Sequence, residues 1–548
     1  MKWYKLLLLS LLSGLLLAAS WYPHGLPFLI FFALVPMLYM SDRLLEKGSK
    51  VPFWKGFIFS YPGFLVWNGI TTYWICYTTV PGAVGASVLN AMLEALVFAF
   101  WHCCRKQIKQ RWAHPILFVA FWMSFEYLHL NWDLTWPWLN LGNVFATCPR
   151  FVQWYSITGV FGGTLWVLIG NFLMFWTLCY QREYKARAWK QLGAFLIWIV
   201  LPILISAFMY LGYEKKIEHD TPIKAVVVQP NTAVWNEQFG LTNYQQMMRI
   251  LALSEPYLND STNLLVCPES CLAHSVYLKQ MRQNIWPAVP QYAGFKVLDS
   301  IIQLHPNLNY ILGLSTFETY DHPATPTAQE GGPNIYLDLF NTAMCFNKDG
   351  YNGHYHKSRL VPGVEAMPFP KLLGFLSQLM VDLGGSHGSL GKDSVRRVFT
   401  IDVNGQKVKT STAICYESIY GELVSRFVKN GSNVLTIITN DSWWNDTPGH
   451  KQHFEMARLR AIENRRYVLR AANGGFSGII DPRGNVLHKT GYLERAIVGE
   501  TVYAQQHLTF YSKHGDYLAW IAIVLAAIGF IFAFEEWLRG IFIQIKNR

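Results

Sequence analysis

The sequence predicts a multi-span helical membrane domain joined to an α/β domain. Hydrophobic residues make up 52% of the 548 residues and charged residues only 15%, whereas a typical soluble domain has roughly 25% charged residues. Apolar runs fill residues 1–212 and recur near the C-terminus. Between them, residues 213–516 carry short β-rich runs alternating with amphipathic stretches. These observations together exclude a purely soluble protein.

Eight apolar runs are candidates for membrane spans: 6–19, 26–40, 56–76, 84–104, 115–130, 156–180, 191–212 and 517–538. The first two are shorter than the ~20 residues that a span needs. Lys2 and Lys5 before the first run also fit a secretory signal peptide. A second apolar run follows almost at once, so we favour a retained signal-anchor helix.

The charges between the runs indicate how the chain crosses the membrane. Lys and Arg are concentrated in alternate connectors, at 43–55, 105–111 and 182–190, and in the tail 539–548. The intervening connectors are nearly free of them, and the stretch 131–155 has only Arg150. Cytoplasmic loops carry an excess of Lys and Arg. We therefore expect about seven spans in 1–212, an outward-facing domain at 213–516, and a last span with an inner tail at 517–548.

The remaining bulk properties exclude several classes of site. The net charge of +11 could suggest nucleic acid, but a binding patch needs clustered basic residues on a folded surface, whereas many of these lie in membrane connectors. Nine cysteines occur without a C-x-x-C pair, so we expect neither a zinc site nor a disulfide framework. His450 and His453 have i, i+3 spacing without a third ligand, so surface or capping roles are expected. No cofactor and no metal is expected.

The segment 213–516 has the pattern of a layered α/β domain with buried strands. Helical stretches such as 454–466 separate apolar runs that end in polar or turn residues, which is typical of strands covered by helices. The loops beyond such strands are where reactive groups are usually held.

Three of these segments end in complementary groups: Glu269, Lys357 and Cys415. A free thiol has a pKa of ~8.5 and is a weak nucleophile at neutral pH. A neighbouring carboxylate can take its proton, and an ammonium can stabilise a tetrahedral oxyanion. Singly, each residue has a commoner explanation, as a core thiol, a helix-start charge or a solvated lysine. Together they predict an acyl-transfer site.

At these residues the sequence resembles the nitrilase superfamily, and most closely its apolipoprotein N-acyltransferase family. The resemblance spans nearly the whole chain. Its motifs are PES (268–270), HKSRLVPGVE (356–365), ICYES (414–418), VVVQPN (226–231), TNDSWW (439–444), QHFEMARLRAIENRR (452–466), NGGFSGIIDPRG (473–484) and WPWLNLGN (136–143).

The resemblance implies a nitrilase-like αββα sandwich and assigns roles to residues. Glu269 is the general base, Lys357 the oxyanion-stabilising amine and Cys415 the acylated nucleophile. Supporting positions are Trp235, Glu365, Tyr416 and Glu417. The family often reads Phe-Gly-Glu where this chain has Gly363-Val364-Glu365, so the assignment of Glu365 depends on its flanking Leu-Val-Pro and Pro368.

The resemblance also implies a reaction and a location. An acyl chain passes from a glycerophospholipid, phosphatidylethanolamine, to Cys415 as a thioester, and then to the α-amine of a diacylglyceryl-cysteine at the N-terminus of an apolipoprotein. The protein is expected to be a monomer in the bacterial inner membrane, surrounded by membrane lipid, with its catalytic domain in the periplasm.

Two other functions fit the same residues in part. A membrane-tethered nitrilase-type amidase would use water as acceptor, but a tether needs one span and not a large helical region. A non-catalytic lipoprotein-binding protein would not need an intact set of Glu269, Lys357 and Cys415.

Overall fold

The structure is a computed structural model that describes residues 1–46, 52–108, 110–180, 185–213, 220–234, 236–375 and 389–546. Trp235 and several of the cationic connector residues lie outside the described residues. By its internal contacts the chain divides into two compact units. One comprises Met1–Trp132, Trp136–Met209 and Asp516–Arg548, and the other Asp133–Thr135 and Tyr210–Gly515.

The regular structure described in the first unit is helical, because its apolar runs are long. Its helices are α1 (Trp3–Ser20), α2 (Ile30–Ala33), α3 (Val35–Glu46), α4 (Pro52–Thr72), α5 (Val80–Gln107), α6 (Ala113–Leu130), α7 (Tyr155–Tyr180), α8 (Lys185–Tyr213) and the last helix of the chain, α16 (Tyr517–Lys546).

Six helical stretches within the described residues are long and apolar enough to cross a membrane: Trp3–Ser20, Pro27–Glu46, Val80–Gln107, Tyr155–Cys179, Trp189–Tyr213 and Tyr517–Arg539. The other two apolar runs of the sequence, 56–76 and 115–130, lie mainly on α4 and on α6. The expectation of eight spans stays a prediction.

Three helices of this unit share a cluster of buried polar side chains that bond to one another. The Glu94 carboxylate accepts hydrogen bonds from the amides of Asn68 at 2.8 Å and Asn90 at 3.1 Å. His129 contacts Oδ1 of Asn90 through Nε2 at 2.9 Å. A polar group without a partner is costly in an apolar surrounding, so these bonds let α4, α5 and α6 carry polar residues in their shared interior.

The second unit contains two β-sheets. The larger has β14 (Ala496–Tyr503), β1 (Pro222–Gln229), β2 (Leu264–Val266), β4 (Asn309–Tyr320), β6 (Ile335–Asn347) and β5 (Gln329–Gly332) in that spatial order, with β3 (Leu272–Tyr277) on β4 and β7 (Gly350–His356) on β6. The smaller runs β13 (Val486–Lys489), β12 (Gly478–Ile480), β11 (Val468–Ala472), β10 (Val434–Thr439), β9 (Gln406–Ile414) and β8 (Phe399–Val403).

Seven helices accompany the two sheets in the described part of this unit. They are α9 (Asn243–Ser254), α10 (Leu278–Arg282), α11 (Pro290–Leu304), α12 (Pro370–Leu373), α13 (Gly421–Lys429), α14 (Pro448–Asn464) and α15 (Phe510–His514). The pair α9 and α11 packs on the larger sheet, α13 and α14 on the smaller, and β1 and β2 contact β11 between them. The predicted architecture, a helical membrane domain plus an αββα sandwich, is confirmed.

The direction of each strand determines at which edge of the sheet the polar residues that follow it lie. Parallel pairing joins β2 to β1 and β4, and joins β10 to β9 and β11. Parallel strands end at the same edge of a sheet, and in open α/β sheets ligands bind beyond that edge. The segments after β2, β7, β9 and β10 carry the side chains of the candidate site.

Candidate active site

Glu269 follows β2 and is buried, with 5% of its surface exposed. Gly313 on β4 makes this position possible: a Cβ at Gly313 would lie 2.3 Å from the carbonyl oxygen of Pro268 and 2.6 Å from Cα of Glu269. Any side chain at Gly313 would therefore displace the backbone that carries the carboxylate.

Lys357 follows β7 and is 1% exposed. Its Nζ donates to Oε1 of Glu269 at 3.1 Å and to Oε1 of Glu365 at 2.8 Å. Burial opposes the charged form, but Glu269 and Glu365 outweigh it and raise the pKa of Lys357 well above its ordinary value. Lys357 is therefore an ammonium throughout the physiological pH range.

Glu365 reaches Lys357 from the loop after β7. Its Oε2 accepts a hydrogen bond from the backbone N–H of Val361 at 2.9 Å, and its carbonyl accepts one from Leu390 at 2.9 Å. Although Gly363-Val364 departs from the family pattern, the structure places the Glu365 carboxylate directly against the amine.

Asn341, which the sequence analysis did not identify, joins the two carboxylates. Its Nδ2 donates to Oε1 of Glu269 at 2.7 Å and to Oε1 of Glu365 at 3.2 Å, and its carbonyl accepts from the N–H of Lys357 at 2.8 Å. In the sequence Asn341 is visible only as an amide within the apolar strand β6. Such an amide has many structural explanations, so it does not by itself indicate a site residue.

Asn440, at the end of β10, was also not assigned to the site. Its backbone N–H donates to Oε2 of Glu269 at 3.0 Å, and its side chain donates to Oε1 of Gln238 at 3.1 Å. Both oxygens of Glu269 are thus held by donors, two on Oε1 and one on Oε2. The carboxylate is fixed in position before any substrate arrives.

Cys415 begins the turn after β9 and has a φ of 52°. Left-handed backbone is strained for a residue with a side chain, and such strain is concentrated at functional sites. Burial is the largest influence on the thiol and raises its pKa above the ordinary value; Glu269 raises the pKa further, and Lys357 lowers it. The thiol is therefore protonated at neutral pH and needs a base to become a nucleophile.

Glu417 ties the turn of Cys415 to the segment of Lys357. Its Oε2 accepts from the N–H of Ile414 at 2.9 Å. Its Oε1 accepts from the N–H of Ser358 at 2.7 Å and from the hydroxyl of Tyr355 at 2.6 Å. The side chain is fully buried, so it serves as a clamp between the two chain segments.

Tyr416 is buried beside Cys415, and its ring packs edge-on against Tyr420 at 5.3 Å between centroids. Its hydroxyl donates to the carbonyl of Thr135 at 2.7 Å. Burial raises the pKa of this phenol well above its ordinary value, so it stays neutral and acts as a donor. Trp235 lies outside the described residues.

The structure thus brings Glu269, Lys357 and Glu365 into direct contact, with Cys415 close enough for the charges of Glu269 and Lys357 to shift its pKa. This arrangement supplies a buried base, a permanent cation and a thiol, which are the groups that acyl transfer through a covalent intermediate requires. Among the described residues, no cluster of three or more His, Cys, Asp or Glu side chains could hold a metal ion.

Comparison with known proteins connects this geometry to a family. The family model described as carbon-nitrogen hydrolase matches residues 224–506, and the one described as apolipoprotein N-acyltransferase N-terminal domain matches residues 13–173. The first match alone covers more than half of the chain. It contains Glu269, Lys357 and Cys415.

Relatives are similar over nearly the full length. The apolipoprotein N-acyltransferase of Chlorobaculum tepidum is 26% identical over 532 residues, 95% of each chain. That of Geobacter metallireducens is 27% identical over 549 residues, 96% of this chain and 95% of the relative. Among solved structures, Saccharomyces cerevisiae Nit3, a nitrilase-superfamily member, has 17% identity and a TM-score of 0.37 over 54% of this chain and 93% of its own. The chain therefore belongs to the carbon-nitrogen hydrolase family and, within it, to the apolipoprotein N-acyltransferases, which are membrane acyltransferases.

Proposed function

We propose that this protein transfers an acyl chain from a glycerophospholipid, through a thioester on Cys415, to the α-amine of the N-terminal diacylglyceryl-cysteine of apolipoproteins. The observation that carries the proposal is the buried contact of Lys357 with Glu269 and Glu365, beside a cysteine held in left-handed backbone. The names of the full-length relatives supply the acceptor class.

In the first half-reaction Glu269 takes the proton of the Cys415 thiol, and Sγ attacks the carbonyl carbon of the phospholipid ester. The Lys357 ammonium stabilises the oxyanion of the tetrahedral intermediate. When the intermediate collapses, the C–O bond breaks and Glu269 returns the proton to the leaving alkoxide, which departs as the hydroxyl of a lysophospholipid. We take phosphatidylethanolamine as the donor.

In the second half-reaction the free amine of the diacylglyceryl-cysteine attacks the thioester carbonyl. Glu269 takes a proton from the amine nitrogen, the C–S bond breaks, and the Cys415 thiolate recovers that proton. The product is an amide, and the resting site is restored. The covalent intermediate divides one difficult exchange, of an ester for an amide, into two easier steps.

Both proposed substrates carry acyl chains, and each buried CH₂ contributes about 0.8 kcal/mol to their partition into the bilayer. A helical region larger than a simple tether fits a catalyst that must meet its substrates there. We place the spans in 1–212 and 517–548 and the catalytic domain in 213–516, on the periplasmic side of the inner membrane. One chain contains all the proposed catalytic residues, so a monomer suffices.

Purified protein incubated with acyl-labelled phosphatidylethanolamine and a diacylated lipopeptide tests the reaction. The expected results are a Cys415 thioester in the protein's mass spectrum and N-acylated lipopeptide. Cys415→Ser should abolish transfer, because an alkoxide is far harder to generate beside the same base. Cys76→Ser, at an exposed cysteine of the helical unit, is the matched control and should keep full activity.

Other outcomes assign other functions. Free fatty acid without N-acyl peptide would indicate the amidase reaction with water. The absence of any Cys415-dependent product would indicate a binding protein. The orientation is tested separately: a green fluorescent protein fused after Arg548 should fluoresce if the tail is cytoplasmic, and a dark fusion of full expression would contradict the proposed topology.

A further inference from the structure

His453 on α14 lies beneath the turn that begins at Cys415, and it contacts that turn at two atoms. Its Nε2 lies 3.2 Å from the carbonyl oxygen of Cys415 and 2.9 Å from Oγ of Ser418. Ser418 in turn donates its hydroxyl hydrogen to the same Cys415 carbonyl at 2.7 Å. Both His453 and Ser418 are 1% exposed. The i, i+3 spacing with His450 predicted a surface or capping role for His453, and the surface placement is wrong.

These contacts indicate the hydrogen-bonding role of Nε2 in the His453 ring. Ser418 has one hydroxyl hydrogen, and it is used on the Cys415 carbonyl. The Ser418 oxygen can therefore only accept from His453, and the Cys415 carbonyl is also an acceptor. On this basis we assign the hydrogen to Nε2, so that its N–H points at the backbone of the proposed nucleophile.

The far side of the imidazole is held by a buried ion pair. Nδ1 of His453 lies 3.0 Å from Oδ1 of Asp441 and 3.1 Å from a guanidinium nitrogen of Arg470. Arg470 also donates to Oδ2 of Asp441 at 2.6 Å. Although burial opposes ionisation, Arg470 and His453 lower the pKa of Asp441 well below its ordinary value, so this partner stays charged. The ring cannot rotate without breaking these bonds.

Serine, histidine and aspartate in this order resemble the triad of serine hydrolases, but the burial and the carbonyl contact of Ser418 argue against a nucleophilic role. Its hydroxyl hydrogen is directed at a backbone carbonyl rather than at the histidine, and the side chain is enclosed. A nucleophilic serine would instead donate to Nε2. The cluster therefore acts on the backbone of Cys415.

We propose that His453 is a positioning residue for Cys415, fixing the carbonyl of the nucleophile with its Nε2–H while Asp441 and Arg470 fix the ring. The carbonyl needs such donors because the left-handed φ of Cys415 is a strained conformation. Two buried hydrogen bonds to one carbonyl hold the peptide plane, and with it the direction of the Cα–Cβ bond to the thiol. This inference rests on the proposed function of Cys415 as the acylated nucleophile.

Two substitutions at His453 separate a role at the Cys415 carbonyl from a general structural role. In His453→Gln the side-chain NH₂ can occupy the place of Nε2 and still donate to Cys415. In His453→Asn the side-chain amide can reach only the place of Nδ1, so it can still contact Asp441, whereas the bond to Cys415 is lost. Both variants remove the ring and leave a similar cavity.

The measurement is the single-turnover rate of Cys415 thioester formation with labelled phosphatidylethanolamine, over a range of lipid concentrations. We expect His453→Asn to lower the maximal rate by about 100-fold, the cost of misplacing a reacting atom by about 1 Å, with half-saturation unchanged. His453→Gln should recover most of that rate at the same melting temperature. His450→Asn is the matched control, since that buried histidine contacts Asn445 and Asp446 instead of Cys415.

Equal maximal rates of thioester formation in His453→Gln and His453→Asn would overturn the inference. A change only in the lipid concentration at half-saturation would also overturn it. These results require that the wild-type protein forms the Cys415 thioester. If the wild type forms none, the proposed function itself fails, and the inference fails with it. If the wild type forms the thioester and His453→Asn forms it at the same rate, only the role of His453 is contradicted and the proposed function stands.

Discussion

Nζ of Lys357 lies 3.1 Å from Oε1 of Glu269, and both side chains are almost completely shielded from solvent. A buried ion pair recovers its desolvation cost only when further hydrogen bonds satisfy the remaining atoms. Glu365, Asn341 and the backbone of Asn440 supply those bonds here. The pair is thus one part of a preorganised network, and each of its members can be tested.

The two members of the pair should shift the pKa of Cys415 in opposite directions. Glu269 raises that pKa and Lys357 lowers it, so Glu269→Gln should lower it and Lys357→Met should raise it. The rate of iodoacetamide alkylation of Cys415 against pH reports the shift: its midpoint should move to lower pH in the first variant and to higher pH in the second.

Both substitutions should nevertheless reduce acyl transfer, Glu269→Gln by about 10²- to 10⁴-fold because the general base is lost. The exposed Lys348 offers a control, since Lys348→Met should leave the alkylation profile unchanged. Midpoints that move in the same direction for the two variants would contradict the assigned electrostatic roles.

Asn341→Ala should impair catalysis although Asn341 takes no part in proton or acyl transfer. It removes hydrogen bonds to two carboxylates, and a bond to a charged group contributes about 1.5–3 kcal/mol. The expected fall in kcat/KM is about 10- to 100-fold. Asn341→Asp should be worse, because it places a third carboxylate against Glu269 and Glu365. Asn307→Asp, at an exposed position, is the control for added charge.

Gly313→Ala should displace Glu269 without changing any polar group. The new Cβ would lie 2.3 Å from the carbonyl oxygen of Pro268, so the segment after β2 must move. We expect destabilisation by about 1–3 kcal/mol and a loss of kcat of about 100-fold. At Gly499 on β14 a Cβ would find its nearest atoms at an ordinary 3.9 Å. Gly499→Ala should therefore keep full activity. Full activity in Gly313→Ala as well would show that the close approach of Gly313 to Pro268 does not position Glu269.

Glu417→Gln should destabilise the catalytic domain. One of its oxygens becomes an NH₂ group that faces backbone N–H donors of Ile414 or Ser358, so a buried donor is left unpaired. The expected loss in the free energy of unfolding is about 1.5–3 kcal/mol, measured by thermal unfolding in detergent. Glu330→Gln on β5, where the side chain is exposed, should leave the melting temperature unchanged.

Local signals were sufficient for the fold class and for proposing three site residues. The β-rich runs and the polar residues that end them located Glu269, Lys357 and Cys415, because strand ends are visible as a change from apolar to polar residues. The length of the apolar runs indicated candidate membrane helices, and six helical stretches of the described residues are long and apolar enough to cross a membrane. Glu365 was placed despite its departing motif, since the flanking residues fix its distance from Lys357 along the chain.

Asn341, Asn440 and His453 could not be found by the same reasoning. Asn341 is 72 residues from Glu269 in sequence, and Asn440 is 171 residues from it. Each residue has an ordinary local explanation, as a strand amide, a turn or a helix histidine. Their contacts with Glu269 and Cys415 depend on pairing between strands and on the packing of one sheet against the other. Neither can be recognised from a short stretch of sequence.

The sequence by itself therefore determined the two kinds of domain and the order of the chemistry-bearing segments, and it supplied the candidates for the thiol, the amine and the carboxylate. The tertiary structure alone decided how the carboxylate is held, how the amine is kept charged and which backbone conformation the cysteine adopts. The physical reason is that side-chain identity is a local property of the chain. Desolvation, hydrogen-bond partners and backbone strain arise only when segments distant in sequence pack together.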